Sequence, residues 1–122
     1  MTDAVTYEQD GSVVTLTLNR PETRNAITED VYEAIISHCD NINTDLSVRC
    51  IILTGAGKGF SSGGNVKDMR DRTSLFGGTA GEIRSAYRDG IQRFPLALYR
   101  LEVPIIAAVN GAAIGAGFDI AM

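Results

Sequence analysis

VPIIAAVNGAAIGAGFDIAM, Val103 to Met122, is the stretch whose reading decides the fold of this chain. The apolar run Ile105 to Val109 reads as a strand, Asn110-Gly111 as a turn followed by a small-residue segment, and Gly115-Ala116-Gly117 as the opening of a helix. Small residues let a ligand approach the backbone. The first N–H groups of a helix have no partner inside it, so they attract negative charge. Asp119 follows Ala116 by about one helical turn, which sets a carboxylate beside those N–H groups. The pairing points to stabilisation of an anion coupled to proton transfer.

Outward from this stretch the period changes. Arg49 to Thr54 (RCIILT) is a short isoleucine-rich run, expected as a strand buried on both faces and parallel to its neighbours. Val13 to Leu18 alternates instead, with Val14, Leu16 and Leu18 on one face and Thr15 and Thr17 on the other, the period of a half-buried strand. Gly11-Ser12 offers a hairpin turn to a partner strand at Val5 to Glu8, and Asn19-Arg20-Pro21 stops the sheet because proline cannot donate to a ladder. Thr28 is expected to cap a helix with Glu29 and Asp30 in its first turn, and Val31, Ile35, His38 and Ile42 fall on one stripe of it. Strand, helix, strand in this order is a unit of an α/β fold. His38, the single histidine, reads as a packed, hydrogen-bonded imidazole; no Ser-His-Asp or Cys-His site can be built from it in addition.

Arg70 to Gly81 mixes charges, Thr, Ser and Gly-Gly without a period and is expected to be a mobile surface loop. From Glu82 on, Ile83, Tyr87, Ile91, Phe94, Leu98 and Leu101 recur at helical spacing, with a kink expected near Ile91 to Pro95.

The composition narrows the function. A chain of 122 residues with 44% hydrophobic content has room for one domain with a modest core. Its 11 basic and 15 acidic residues give a net charge of −4, and no Lys/Arg run lays a positive track, which argues against nucleic acid as a partner. MTDAVTYEQDGSV lacks the basic region and apolar core of a signal peptide, and no apolar run approaches bilayer-spanning length. A cytoplasmic location without a membrane partner is therefore expected. Cys39 and Cys50 are too few and too far apart for a metal knuckle; both read as buried thiols, and no metal site is expected.

Gly55-Ala56-Gly57-Lys58-Gly59-Phe60 after a strand invites a nucleotide-binding reading. The dinucleotide fingerprint needs glycine where Phe60 stands, and a P-loop needs Ser or Thr where Gly59 follows Lys58, so both fail. A different reading joins this loop to the later one. Gly63-Gly64-Asn65 precedes a short helix expected at Val66 to Met69, so the Gly64 N–H points outward at a helix start as the Ala116 N–H does. Two such donors converging from separate loops would form an oxyanion hole, in which losing one donor typically costs about 3–4 kcal/mol. Tight turns and close packing account for the same glycines equally well, and spacing leaves both readings open.

LNRPETRNAI at Leu18 to Ile27, GKGFSSGGNVKDM at Gly57 to Met69, and PIIAAVNGAAIGAGFDIAM at Pro104 to Met122 each resemble a signature of the crotonase superfamily, the enoyl-CoA hydratase/isomerase family. They stand in the family's order and at its separations, and the resemblance runs nearly end to end. It implies an α/β fold, a crotonase-like right-handed spiral of ββα units. Residues 1–122 would form the N-terminal part of a single domain, incomplete because the C-terminal half is absent. By the same resemblance, the Gly64 and Ala116 N–H groups hold the acyl thioester oxygen and Asp119 is the first catalytic carboxylate. Ala26, Gly64, Val66 and Lys67 match positions lining the CoA adenine and pantetheine site, with Lys58, Lys67, Arg20 and Arg24 as nearby cations. The family's hydratases usually carry glutamate where Asp119 stands, while aspartate appears in its dienoyl-CoA isomerases. Hydration of a 2-enoyl-CoA is the first expectation, enoyl- or dienoyl-CoA isomerisation the alternative. A non-catalytic chain that binds acyl-CoA or partner subunits is a further one. No cofactor is implied beyond the CoA of the substrate. About as many residues again follow in the family, with a second catalytic carboxylate and helices that build a homotrimer or a dimer of trimers; these 122 residues alone are expected to be inactive.

Overall fold

The computed structural model describes residues 3–122, which form a four-stranded sheet in the order β1-β2-β3-β4 with five helices. β1 (Val5–Asp10) and β2 (Val13–Leu18) make the antiparallel hairpin, turning at Gly11, whose φ of 60° suits glycine. β3 (Cys50–Gly55) lies parallel to β2, and β4 (Ile105–Ala107) lies parallel to β3. The β2–β3 register pairs Val14 with Ile51 and Leu16 with Leu53, so the inward side chains stack in rows. α1 (Glu29–Asn43) is the crossover from β2 to β3 and adds Val31, Ile35, Cys39 and Ile42 to the same core. α4 (Arg93–Tyr99) packs beside α1 and inserts Phe94 and Ala97. Each large aliphatic or aromatic side chain so enclosed contributes about 1.5–3 kcal/mol.

Several local expectations are corrected. β3 is not buried on both faces: Ile51, Leu53 and Gly55 are buried, but Cys50, Ile52 and Thr54 are half-buried, because the core lies on one side of the sheet. β4 ends at Ala107, two residues short of the expected Val109, and Ile106 and Val109 are 57% and 50% exposed. Cys39, not His38, fills the core stripe of α1. His38 is half-buried at its rim, stacked on the Tyr7 ring at 5.3 Å, and makes no hydrogen bond among the described residues. Thr28 is the N-cap residue of α1, but its hydroxyl donates to Asp30, whose carboxylate accepts from the Val31 N–H.

The segment after α2 (Val66–Asp71) is not wholly loop. It contains a 3-10 turn at Ser74–Phe76, and α3 (Ala80–Asp89) begins inside it under a capping box, with the Glu82 N–H donating to Thr79 Oγ1 and the Thr79 N–H to Glu82 Oε2. Nor is there one kinked helix. α3 and α4 are separate, broken at Gly90, and Pro95 sits in the first turn of α4, where no N–H is required. No described helix is long and apolar enough to cross a membrane.

Candidate active site

The site is built by two loops that follow β3 and β4, the last two strands of the parallel set. Their ends are stitched together by amide side chains. Asn110 accepts from the Gly55 N–H (3.1 Å) and donates to the carbonyls of Gly55 (2.8 Å), Gly57 (3.2 Å) and Gly59 (3.3 Å). From the other side the fully buried Asn25 donates to Ala56 O (2.9 Å) and Gly59 O (3.1 Å) and accepts from the Arg20 N–H (2.9 Å). Asn25 has φ 55°, a left-handed conformation that asparagine tolerates better than most residues. The carbonyls of a loop outside any ladder are thereby given partners from two directions.

Beyond Gly59 the loops run side by side. The Phe60 and Ser61 N–H groups donate to Ala112 O at 3.0 and 3.2 Å, the Ile114 N–H donates to Ser61 O at 3.0 Å, and Ser61 and Ala113 form a parallel bridge. The buried Ser61 hydroxyl donates to Asn25 O at 2.7 Å and accepts from the Gly63 N–H at 3.2 Å. This closeness is what the glycines serve. A β-carbon on Gly63 would lie 2.5 Å from Ile114 O and 3.1 Å from the Ala116 nitrogen, and one on Gly117 would collide with the Ser61 carbonyl. Gly115, with φ 56° and ψ −128°, turns the chain into α5 (Ala116–Ala121) through a conformation that a β-carbon would strain. The two readings of the glycine clusters are therefore not exclusive: close packing is the means by which Gly64 and Ala116 reach the same place.

Both residues line one cavity of about 710 Å³, and neither N–H donates to a protein group among the described residues. Val66, Met69, Phe76, Tyr87 and Ile91 supply most of its apolar wall, and the Met69 methyl group packs directly against Gly64. Asn65 caps α2, its side chain accepting from the Lys67 and Asp68 N–H groups, and so holds the helix start that follows Gly64. Asp119 lines an adjoining cavity of about 600 Å³ that shares Ile27, Tyr87, Ile91 and Ala116 with the first. Its carboxylate is exposed and makes no hydrogen bond or ion pair among the described residues. Tyr32, on the far side of the first cavity, has its phenol pKa raised by burial and by Glu29, against the opposing charge of Arg93.

The other expected site residues are placed differently. Ala26 is buried and does not line either cavity; its N–H donates to Thr23 O and its carbonyl accepts from Thr28, while it bridges to Gly63. Lys67 is exposed on α2 outside both walls. Lys58 and Arg24 are likewise exposed and without an ion pair among the described residues. Arg20 is held by Asp30 at 2.9 Å and by the carbonyls of Asp3 and Asn19, a tie between the β2 end and α1. No group of three His, Cys, Asp or Glu among the described residues is arranged to hold a metal ion. What sequence reasoning missed are Asn25, Ser61 and Asn110, which position the two amides without touching the cavity. A small polar residue inside each of the three signatures was the available signal.

The sequence matches the enoyl-CoA hydratase/isomerase family over residues 8–122. It is 38% identical over 114 residues to the 1,2-epoxyphenylacetyl-CoA isomerase of Escherichia coli K12, covering 90% of this chain and 41% of that protein. It is 36% identical over 119 residues to a short-chain-enoyl-CoA hydratase of Clostridium acetobutylicum, covering 97% of this chain and 43% of the other. The fold superposes on the crystal structure of an enoyl-CoA hydratase from Bacillus anthracis with a TM-score of 0.83 at 28% identity, over 97% of this chain and 44% of that one. The chain thus spans about two-fifths of the length of the relatives it matches.

Proposed function

This chain belongs to the enoyl-CoA hydratase/isomerase family, and from that premise we propose that the complete protein hydrates a 2-enoyl-CoA. The observation that carries the reading is the pair of N–H groups of Gly64 and Ala116, without a protein partner among the described residues and supplied by separate loops to one cavity with Asp119 beside it. The thioester oxygen of the substrate sits between the two donors. Water adds its oxygen to C3 while the C2=C3 electron pair moves onto C2 and the thioester oxygen, and a proton is delivered to C2. Charge develops on an oxygen where donors are already fixed, so little reorganisation is needed as the barrier is crossed. Asp119 acts as general acid/base, one turn of α5 from Ala116 and facing the cavity into which the acyl carbons extend.

Isomerisation is the second reading, and two observations favour it: aspartate rather than glutamate stands at position 119, and the chain is 38% identical to a monofunctional enoyl-CoA isomerase of M. smegmatis of known structure. A double-bond shift uses the same enolate, and a single carboxylate can take a proton at one carbon and return it at another. The CoA moiety arrives with the substrate, and no other cofactor is proposed. Val66 lies where it would touch the ligand, while Ala26 contributes by holding Gly63, and Lys67, Lys58 and Arg24 offer unpaired charge to phosphate. A homotrimer or dimer of trimers in the cytoplasm, with no nucleic acid or membrane partner, completes the proposal; the exposed Ile106, Ile114, Phe118 and Met122 favour burial against more protein.

The test is turnover of crotonyl-CoA and of a dienoyl-CoA by the complete protein and its Asp119→Asn variant. A fall of about 10²–10⁴ in kcat with acyl-CoA binding kept is expected. Binding without any turnover in the unaltered protein would make it a non-catalytic acyl-CoA binder, and turnover untouched by the substitution would remove Asp119 from the chemistry.

A further inference from the structure

Gly64 and Asp119 line adjoining cavities that meet at Ala116. Gly64 lines the first, Asp119 the second, and Ala116 both. If the thioester oxygen rests on the Gly64 and Ala116 N–H groups, the reacting carbons, two and three bonds from that oxygen, lie where the two cavities meet, and the rest of the acyl chain continues into the second. Four residues line both cavities at the passage between them: Ile27, Tyr87, Ile91 and Ala116. Ile27 is buried and Ala116 is small, so the largest side chain in the passage is Tyr87.

Its setting suits it to control width. Tyr87 stands on α3, whose start is held by the Thr79–Glu82 capping box, and its ring meets Phe76 edge-on at 6.1 Å and 70°. Phe76 itself lines the first cavity, so the two rings brace each other across its far side. The phenol oxygen has no hydrogen-bond partner among the described residues, which leaves ring bulk as what the side chain brings to the passage.

We propose that Tyr87 is a specificity-determining residue: its ring, braced by Phe76, limits the girth of the acyl chain just beyond the reacting carbons, where the first cavity opens into the second, and so selects slender 2-enoyl-CoA thioesters over branched or aryl ones. This inference rests on the hydratase/isomerase reading.

The experiment compares kcat/KM for cinnamoyl-CoA, whose chain ends in a ring at C3, with that for crotonyl-CoA, using the complete protein. The cinnamoyl-to-crotonyl ratio is expected to rise about tenfold or more in Tyr87→Ala, the range expected when a hydrophobic pocket gains or loses a steric element. In Tyr87→Phe the ratio stays as it was, and in Tyr87→Trp it falls. A ratio that does not move in Tyr87→Ala, or one that moves as far in Tyr87→Phe, overturns the assignment while leaving the proposed activity in place. Should Tyr87→Ala not fold, the Trp and Phe variants decide by the sign of the shift. Absence of turnover for both thioesters in the unaltered protein overturns the functional reading, and this inference with it.

Discussion

Gly117→Ala is the substitution that most directly tests how the site is built. Gly117 is buried in the first turn of α5, one residue beyond the Ala116 N–H, with its Cα against Ser61. A β-carbon there would lie 2.8 Å from Ser61 Cβ and 2.9 Å from its carbonyl carbon, with the carbonyl oxygen nearer still, where ordinary contact begins at 3.4 Å. The obstruction is backbone, so no side-chain rotation relieves it. The loops must separate by half an ångström or more, and the Ser61-to-Gly64 segment carries one amide donor away from the other. Inserting one methyl group into packing of this kind costs about 1–3 kcal/mol in stability. Because an ångström of misplacement, or the loss of one donor, costs about 10²-fold, kcat for crotonyl-CoA is expected to fall about a hundredfold, with a smaller change in KM. The assay is steady-state loss of enoyl absorbance beside urea unfolding of the same samples, with Gly81→Ala as control. A β-carbon on Gly81 meets nothing within 4 Å in α3, and that variant should gain up to about 1 kcal/mol at unchanged rate. A folded Gly117→Ala protein that keeps its kcat within about threefold would refute the argument that loop contact sets the donor spacing.

Asn25→Ala leaves Ala56 O and the Arg20 N–H without their partner, leaves Gly59 O to Asn110 alone and strains a residue at φ 55°, so a loss of about 3 kcal/mol or more is expected in urea unfolding. Asn25→Gly should recover about 1 kcal/mol of it, and equal losses would show that the backbone conformation carries no cost. Burial works to raise the Asp30 pKa, but the bonds from Thr28, Arg20 and the Val31 N–H outweigh it and hold the carboxyl below its ordinary value. The stability it adds is therefore present above its unfolded value of about 3.9 and is lost as pH falls through the lower folded value. Asp30→Asn should make the acid limb of urea midpoints shallower and cost under about 1 kcal/mol at neutral pH, since the side chain is half exposed; an unchanged limb would remove this pair from the account. Burial, with Asp40 adding to it, pushes the Cys39 thiol up to about 11, so peptide mapping after Ellman's reagent at pH 8 should find Cys39 modified only once the protein unfolds; native labelling of Cys39 ahead of the half-buried Cys50 would contradict the burial.

Alternation in Val13 to Leu18, the stripe at Val31, Ile35 and Ile42, and the glycine-opened helix at Ala116 were legible because each signal is contained within a few residues of chain. The break between α3 and α4 was harder to read. Pro95 looked like the disrupter, yet proline is harmless in a first turn, and Gly90 is where the helices part. The capping box at Thr79 and Glu82 was present in a segment whose composition resembled a loop, and a four-residue signature was outweighed by the surrounding Ser, Thr and Gly.

By itself the sequence determined most of the strands and helices and the family, and it singled out Gly64, Ala116 and Asp119 as candidates for chemistry. Only the tertiary structure decided that the Gly64 and Ala116 amides share a cavity, that Asp119 lines the adjoining one with Tyr87 common to both, and that Ala26 and Lys67 line neither. The reason is one of range. Periodicity and capping act through neighbours within a turn or two, whereas the amides are brought together by Ser61 on Ala113, Asn110 on Gly55 and Asn25 on Gly59, contacts between segments some thirty to fifty-five residues apart.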